Sequence, residues 1–288
     1  MRRRLVCQLG ISGALAACQP PPPAKAPSAL RLAIDLWAGY FPGLLAEELG
    51  HFREAGIAVQ ISLPGNTDRM VAEFAAGRHD LIACALADVV HLSRGGHALR
   101  VVLQTDESAG GDKLLARAGW RPGSSLLRVG TNLGGFGELF VREYLARQGI
   151  AESRLRWVNV DAADVPAALR QGELDLGHCW DPYAAASIAE GAVEVFSSRD
   201  TPGLIPDVVA TMAHTAEQRG DDLRRFAAAW FRAQAWWLAH PDEGHARLAA
   251  RLGQSPAWVA AALAGVRLTD LAENRRQFGV GGQAPGLA

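Results

Sequence analysis

Carboxylates and indoles recur at one kind of place in this sequence, the first residues after short apolar runs that read as strands. Asp35, Trp37 and Tyr40 follow LRLAI, Leu86 and Asp88 follow LIACA, and Asp106 and Ser108 close or follow LRVVLQT. The second half offers Asn132, Gly134 and Gly135 after LRVGT, and Trp180, Asp181 and Tyr183 after LGHC. In open α/β sheets ligands bind outside the carboxyl ends of the strands, so these residues form the candidate ligand-binding set. Aspartate beside tryptophan suits a positive or hydrogen-donating group, held by charge and by the indole face. Trp37 and Trp180 come from different halves of the chain, so closing halves would sandwich a planar or cationic group between them. No Arg or Lys falls at these strand ends, Arg199 being the nearest. An anion would have to rest on backbone N–H groups at Gly134–Gly137. The expected ligand is therefore small and nitrogen-bearing, cationic or amide-like, rather than a simple anion.

Several of these residues also have structural duties. Asp181 precedes Pro182 and reads first as a helix N-cap; Asp88 can serve its own helix. Asp80 and Asp175 read as turn caps. Asp35 has the weakest structural excuse, because no helix opens directly after it. Catalytic chemistry finds little support: no Ser/His/Asp or paired-carboxylate spacing is identifiable, and His178 stands alone. No C-x-x-C or H-E-x-x-H occurs among four cysteines and eight histidines, so neither a metal nor a cofactor is expected. Cys84 and Cys179 read as small buried hydrophobes. Leu223, Phe226, Trp230, Ala233 and Trp237 form one helical stripe, the pattern of a core-facing helix.

The elements that must position the candidates are written twice. LRLAIDLW (30–37) is answered by LRVGTNLG (127–134), and GIAVQISL (56–63) by GIAESRLRWVNV (149–160). GRHDLIAC (77–84) is answered by GELDLGHC (172–179), and ALRVVLQTD (98–106) by AVEVFSSRD (192–200). Successive offsets of 97, 93, 95 and 94 residues are too steady for accident. Helical stretches separate the runs: PGLLAEELGHF opened by Pro42, TDRMVAEFAAG with Met70, Val71, Phe74 and Ala75 at helical spacing, and their counterparts GGFGELFVREYLARQG and ADVPAALRQG. Two β-α-β-α-β-α-β units of about 80 residues follow, each an α/β sheet flanked by helices, with a ligand cleft between two such lobes.

Bulk composition is that of a globular chain, 49% hydrophobic and 20% charged with a net charge of −1. It suits one large domain or two of roughly 100–150 residues, and nothing basic enough for nucleic acid is present. The N-terminus stands apart. MRRR leads a short apolar run that ends in small residues, the pattern of an export signal over 1–17. Leu15-Ala16-Ala17-Cys18 resembles the lipobox of bacterial lipoproteins, which implies lipidation of Cys18. QPPPPAKAPS after it reads as an extended tether (18–28) of ~30 Å.

Beyond these readings, WAGYFPGLLAEELGHFREAGIAVQI, GNTDRMVAEFAAGRHD, TDESAGGDKLLAR, CWDPYAA and SRDTPGLIPDVVATM resemble, in order and spacing, extracytoplasmic solute-binding proteins of nitrate, sulfonate, taurine and thiamine-precursor importers. The resemblance spans about residues 30–240. It implies a two-lobed periplasmic-binding fold with crossovers near 112–117 and 207–212, each lobe a mostly parallel sheet. Lobe one would be 29–110 plus 211–288, and lobe two 111–210. It implies a monomer that closes about a hinge on a small solute and delivers it to an ABC permease and ATPase. The implied place is the periplasm or outer cell surface, with the membrane touched only through the lipid anchor. The expectation is a binding protein and not an enzyme. Left open are a thiamine-pyrimidine-synthase-like or other enzyme on this fold, although the eukaryotic synthases' cysteine-rich segment is missing, and a ligand-sensing module for a membrane receptor.

Overall fold

The computed structural model describes residues 28–121, 123 and 126–279. The expected signal peptide, Cys18 and nearly all of the tether lie outside the described residues. From Leu30 the chain builds β1 (Leu30–Ala33), α1 (Phe41–Glu48), α2 (His51–Glu54), β2 (Val59–Ser62), α3 (Thr67–Ala75), β3 (Leu81–Ala85), α4 (Leu86–Arg94) and β4 (Leu99–Ser108). A second run follows: β5 (Asp112–Ala116), β6 (Leu127–Thr131), α5 (Phe136–Arg147), β7 (Leu155–Asn159), α6 (Val165–Arg170), β8 (Leu176–Trp180), α7 (Tyr183–Ala189) and β9 (Val193–Ser197). The chain then closes with β10 (Pro206–Met212), α8 (Ala213–Ala239), α9 (Pro241–Leu252), α10 (Pro256–Leu263), β11 (Val266–Leu268) and α11 (Leu271–Gln277).

The strands form two sheets, ordered β11-β4-β10-β3-β1-β2 and β7-β6-β8-β5-β9. Apart from the edge strand β11, the two orders are the same. Counted from β2 and from β7, the fourth place in each is taken by a strand that enters from the other half of the chain. β10 runs antiparallel between β3 and β4, and β5 antiparallel between β8 and β9. In each sheet four strands run one way, as expected of a mostly parallel sheet, and the exchanged strand arrives from the opposite direction and makes it mixed; the edge strand β11 also runs against its neighbour β4. All seven residues of β10 belong to the first sheet, so residues 206–210 sit with lobe one rather than with lobe two. The inserted strands and the neighbours they pair with read as apolar runs because both faces are covered: β5, β3 and β8 are buried throughout, and β10 from Asp207 to Thr211.

The echoed G-x-x-D pairs do more than cap turns. Asp80 accepts from the Arg31 backbone N–H (2.9 Å), Nε (3.0 Å) and Nη2 (2.7 Å), while Arg31 also donates to the Gly77 carbonyl. Asp175 repeats this with the Arg128 N–H (3.0 Å), Nε (3.1 Å) and Nη2 (3.0 Å), and Arg128 donates to the Gly172 carbonyl. Gly77 and Gly172 carry φ of 73° and 71°, the left-handed conformation in which L side chains are strained. Each motif thus ends a helix and clamps the strand that follows it to a neighbour, β3 to β1 and β8 to β6.

Lobe one gains its core from α8. Leu223, Phe226, Trp230, Ala233 and Trp237 are all buried, on one face toward α1 and α2. Gly43 allows this approach, since a Cβ there would lie 2.5 Å from the Trp230 ring. Ser255 caps α10 by accepting from Trp258 N–H at 3.1 Å. Among the described residues no helix is long and apolar enough to cross a membrane.

Candidate functional site

The loop after β1, the start of α3, the ends of β3 and β8, and the starts of β5, β10 and α5 surround one cavity, whose free room is only about 30 Å³. That is far below an open small-molecule pocket, so a solute would enter only as the walls part. Its aromatic wall comes from Trp37, Tyr40, Phe136 and Trp180; its polar wall is Asp35, Thr67, Asp88, Asp112 and Asp207, and no Lys, Arg or His side chain lines it. The two lobes meet around it. Thr67 N–H donates to Asp161 Oδ2 (2.8 Å), and Asn132 and Asn159 donate through Nδ2 to the two oxygens of Asp68 (3.2 and 3.0 Å). Phe136 N–H donates to Asp88 Oδ1 (2.9 Å).

Each carboxyl is held differently. Asp35 accepts from Thr67 Oγ1 (2.6 Å) and Leu36 N–H (2.7 Å), yet burial outweighs these bonds and raises its pKa. Asp88 is raised to about 7 by burial, against the hydrogen bond from Phe136. Asp112 accepts from His178 Nε2 (3.1 Å), whose Nδ1 faces Thr131 Oγ1 (3.2 Å). If Nε2 donates to the carboxylate, the hydroxyl donates to Nδ1, so a neutral ring satisfies both bonds.

Behind the aromatic wall lies a carboxyl pair. Asp106 and Asp207 are direct partners across β4 and β10. Trp37 Nε1 donates to Asp106 Oδ1 (3.0 Å), Thr105 Oγ1 to Asp106 Oδ2 (2.7 Å), and the Tyr40 hydroxyl to Asp207 Oδ1 (2.8 Å). Burial raises Asp106 to about 7, and burial with the charge of Asp106 pushes Asp207 well above its ordinary value. With no basic partner, the pair retains a proton near neutrality. Gly39 leaves the space it needs, since a Cβ there would sit 1.8 Å from Asp106 Oδ2. The pair fixes the Trp37 ring and the Tyr40 phenol, and the Tyr40 hydroxyl titrates far above its usual range because it is buried among acids.

Of the residues expected from sequence, Asp35, Trp37, Tyr40, Asp88 and Trp180 line this cavity together. Asn132 and Gly135 line an outer chamber that shares Thr67, Asp88 and Phe136 with it. Gly134 lies against the His91 ring. Asp106 lies beneath Trp37. Ser108 bonds Ser198 Oγ (2.7 Å), which also accepts from Gly110 N–H (2.6 Å), tying the two crossovers together. Leu86 packs on the apolar cluster beside β3, and Tyr183 stands edge-on to Trp180, its hydroxyl pushed up to about 12 chiefly by burial. Asp181 points elsewhere: Lys113 Nζ donates to its Oδ2 (2.5 Å) and Ala185 N–H to its Oδ1 (3.1 Å). Cys84 and Cys179 are buried free thiols.

Sequence reasoning passed over Asp112, Asp207, Thr67 and Phe136. A signal existed for the two acids, since each stands at or beside the first residue of an exchanged strand, in DKLLA and PDVVATM. Trp180 adds a further polar feature. Its indole Nε1–H is buried and meets no acceptor among the described residues.

No curated protein matches the chain. Solved structures match its fold. The zinc-bound ligand-binding component of an ABC-type import system from Staphylococcus aureus superposes with a TM-score of 0.74 at 12% identity, covering 85% of this chain and 86% of that one. The alkanesulfonate-binding protein SsuA from Xanthomonas axonopodis pv. citri, bound to MOPS, gives 0.72 at 17% identity over 86% and 88%. The periplasmic nitrate-binding protein NrtA from Synechocystis PCC 6803 gives 0.66 at 14% over 78% and 67%. These likenesses place the two lobes in the periplasmic-binding-protein fold. The sequence profile described as NMT1/THI5 like matches residues 37–244, more than two thirds of the chain, and the protein belongs to that family.

Proposed function

We propose that this protein is the extracytoplasmic solute-binding component of an ABC importer, and that its solute is a small nitrogen-bearing cation. The carrying observation is the cavity wall, with four carboxyls, four aromatic rings and no basic side chain. A cation there gains from charge and from ring faces in a site that excludes water. An anion such as nitrate or a sulfonate, named for some of the structures of similar fold, would meet those acids without a counter-charge. We take residues 29–108 with 206–279 as one moving body and 112–197 as the other, hinged where Ser108, Gly110 and Ser198 join. Lipidation of Cys18 would hold the pair at a membrane surface, in reach of a permease.

Three probes of one shape test the charge reading: benzamidinium, benzamide and benzenesulfonate. Isothermal titration at pH 8 is expected to show binding in the order cation, then amide, with no heat from the sulfonate. Binding of benzenesulfonate, nitrate or methanesulfonate in preference to the cation overturns it. Mass analysis of the recovered probe is expected to return it unchanged; a product would make the protein an enzyme.

A further inference from the structure

The twelve-residue helix α5 begins without a cap from its own lobe, since its N-cap is Gly135. The cap comes across the cleft, from Asp88 Oδ1 to Phe136 N–H at 2.9 Å. Gly135 permits the approach, because a Cβ there would fall 2.2 Å from that same oxygen. Its backbone is extended (φ −108°, ψ −157°), a conformation open to alanine, so only the contact demands glycine.

The groups around Asp88 offer it no counter-charge. Cys84 faces it from β3, Asp112 from β5, Asp207 from β10 and Asp68 from α3. On its own helix His91 lies against Gly134, and on α5 Glu138 is engaged by Gly134 N–H and Arg142. No ion pair reaches Asp88 among the described residues. Closing the lobes therefore buries a carboxyl that has the N–H groups of Phe136 and Ala85 and the positive ends of two helices, α4 and α5, but no cation to balance its charge.

We propose that Asp88 makes closure depend on the charge of the solute: it latches α5 across the cleft, and its own charge is balanced either by a proton or by a bound cation. In the empty cleft the latch forms with a protonated carboxyl. A cation entering the cavity displaces that proton to solvent, and the ionised carboxylate then holds both the cation and Phe136 N–H. An anion leaves Asp88 protonated and gains nothing from the latch. The latch stands on contacts within the chain; only the exchange rests on the cationic solute proposed above.

The latch is tested without solute. Spin labels on Ser93→Cys (α4) and Ala146→Cys (α5), both exposed, report the interlobe distance, while Cys84 and Cys179 are buried from the reagent. Closure raises the Asp88 pKa to about 7 from the ordinary carboxylate range, so protons favour the closed form. The closed-to-open ratio of the empty protein is expected to rise about tenfold from pH 8 to pH 6. Asp88→Asn should be largely closed at both pH values, and Gly135→Ala open at both. A ratio that changes less than about twofold in the parent, or a parent-like response in Asp88→Asn, overturns the latch. The exchange is read by calorimetry of benzamidinium at pH 6 in two buffers of different ionisation enthalpy. Release of about 0.9 proton per molecule closed before binding, the closed fraction being read from the solute-free distances, is expected from the parent and none from Asp88→Asn. Binding without release overturns the exchange, and no binding overturns the cationic solute and the exchange with it. The latch is judged in either case on the solute-free distances.

Discussion

Replacing Asp175 with Asn removes one charge from the clamp between β6 and β8, the strands that lead to Asn132 and Trp180. Burial by itself would raise this carboxyl, but the hydrogen bonds of Arg128 and Arg117 overcome it and hold the pKa at about 2. Taken from an unfolded value near 3.8, that depression is worth about 2.4 kcal/mol. Asp175 is 10% exposed but its partners are 35–37% exposed, and screening reduces the figure to ~1–2 kcal/mol. A depressed acid stabilises the fold above its unfolded pKa and loses that stabilisation as pH falls through the folded value. The cost of Asp175→Asn should therefore be complete at pH 7, roughly half gone at pH 3 and absent below about pH 2. Urea unfolding of parent and variant at pH 7 and pH 3 measures both quantities, with an unchanged m-value required. Asp80→Asn should cost less, because among the described residues Asp80 forms an ion pair with Arg31 alone, where Asp175 has Arg128 and Arg117. A cost at pH 7 below ~0.3 kcal/mol, or one that does not shrink in acid, would refute the argument that these ion pairs clamp the strands.

Asp68→Ala removes both hydrogen bonds to Asn132 and Asn159 without touching the inner cavity. It should weaken benzamidinium binding about 5- to 30-fold, mainly through faster dissociation in stopped flow, at unchanged melting temperature. Trp180→Phe deletes an N–H that has no acceptor, so the fold should lose little beyond packing, whereas a solute carrying an acceptor should lose affinity. Comparing benzamide with benzamidinium on this variant shows whether the amide oxygen uses the indole; equal losses for both would deny it that role. Gly43→Ala places a methyl 2.5 Å from the Trp230 ring and should cost ~1–3 kcal/mol in urea unfolding with probe affinity unchanged.

The duplicated strand–helix pattern was legible because apolar runs, positive-φ glycines and helix spacing are local signals, and the sheets repeat them in the same order. The cavity was half legible. Residues that follow a strand were found, since the carboxyl ends of parallel strands point to the cleft: Asp35, Trp37, Tyr40, Asp88 and Trp180. Asp112 and Asp207 escaped because they begin their strands, and only an antiparallel strand brings its start to the same rim. Asp106 stands at the expected rim but turns under Trp37, a direction decided by the space over Gly39. Asp181 was credited to the ligand because its Lys113 partner lies 68 residues away and follows the overlooked Asp112. Long-range ion pairs leave no periodic trace in a sequence.

The duplication also accounts for the cavity's charge and for where its room lies. Asp207 opens opposite Ala85 on β3, and Asp112 opposite Trp180 on β8. The 95-residue offset that carries Cys84 onto Cys179 carries Ala85 onto Trp180, so the two acids occupy equivalent places in the two sheets. A pseudo-symmetric pair of lobes that exchange strands therefore brings two carboxyls to one seam. Unaided, that seam opposes closure of the ionised form, because acids that lose water without a counter-charge are costly to ionise together. The lobes differ where the acids are faced: alanine on one side leaves space, and tryptophan on the other supplies a ring and an unpaired N–H. On the proposal that the guest is a cation, its charge would offset the cost of bringing these acids together, so the filled cleft would close more readily than the empty one.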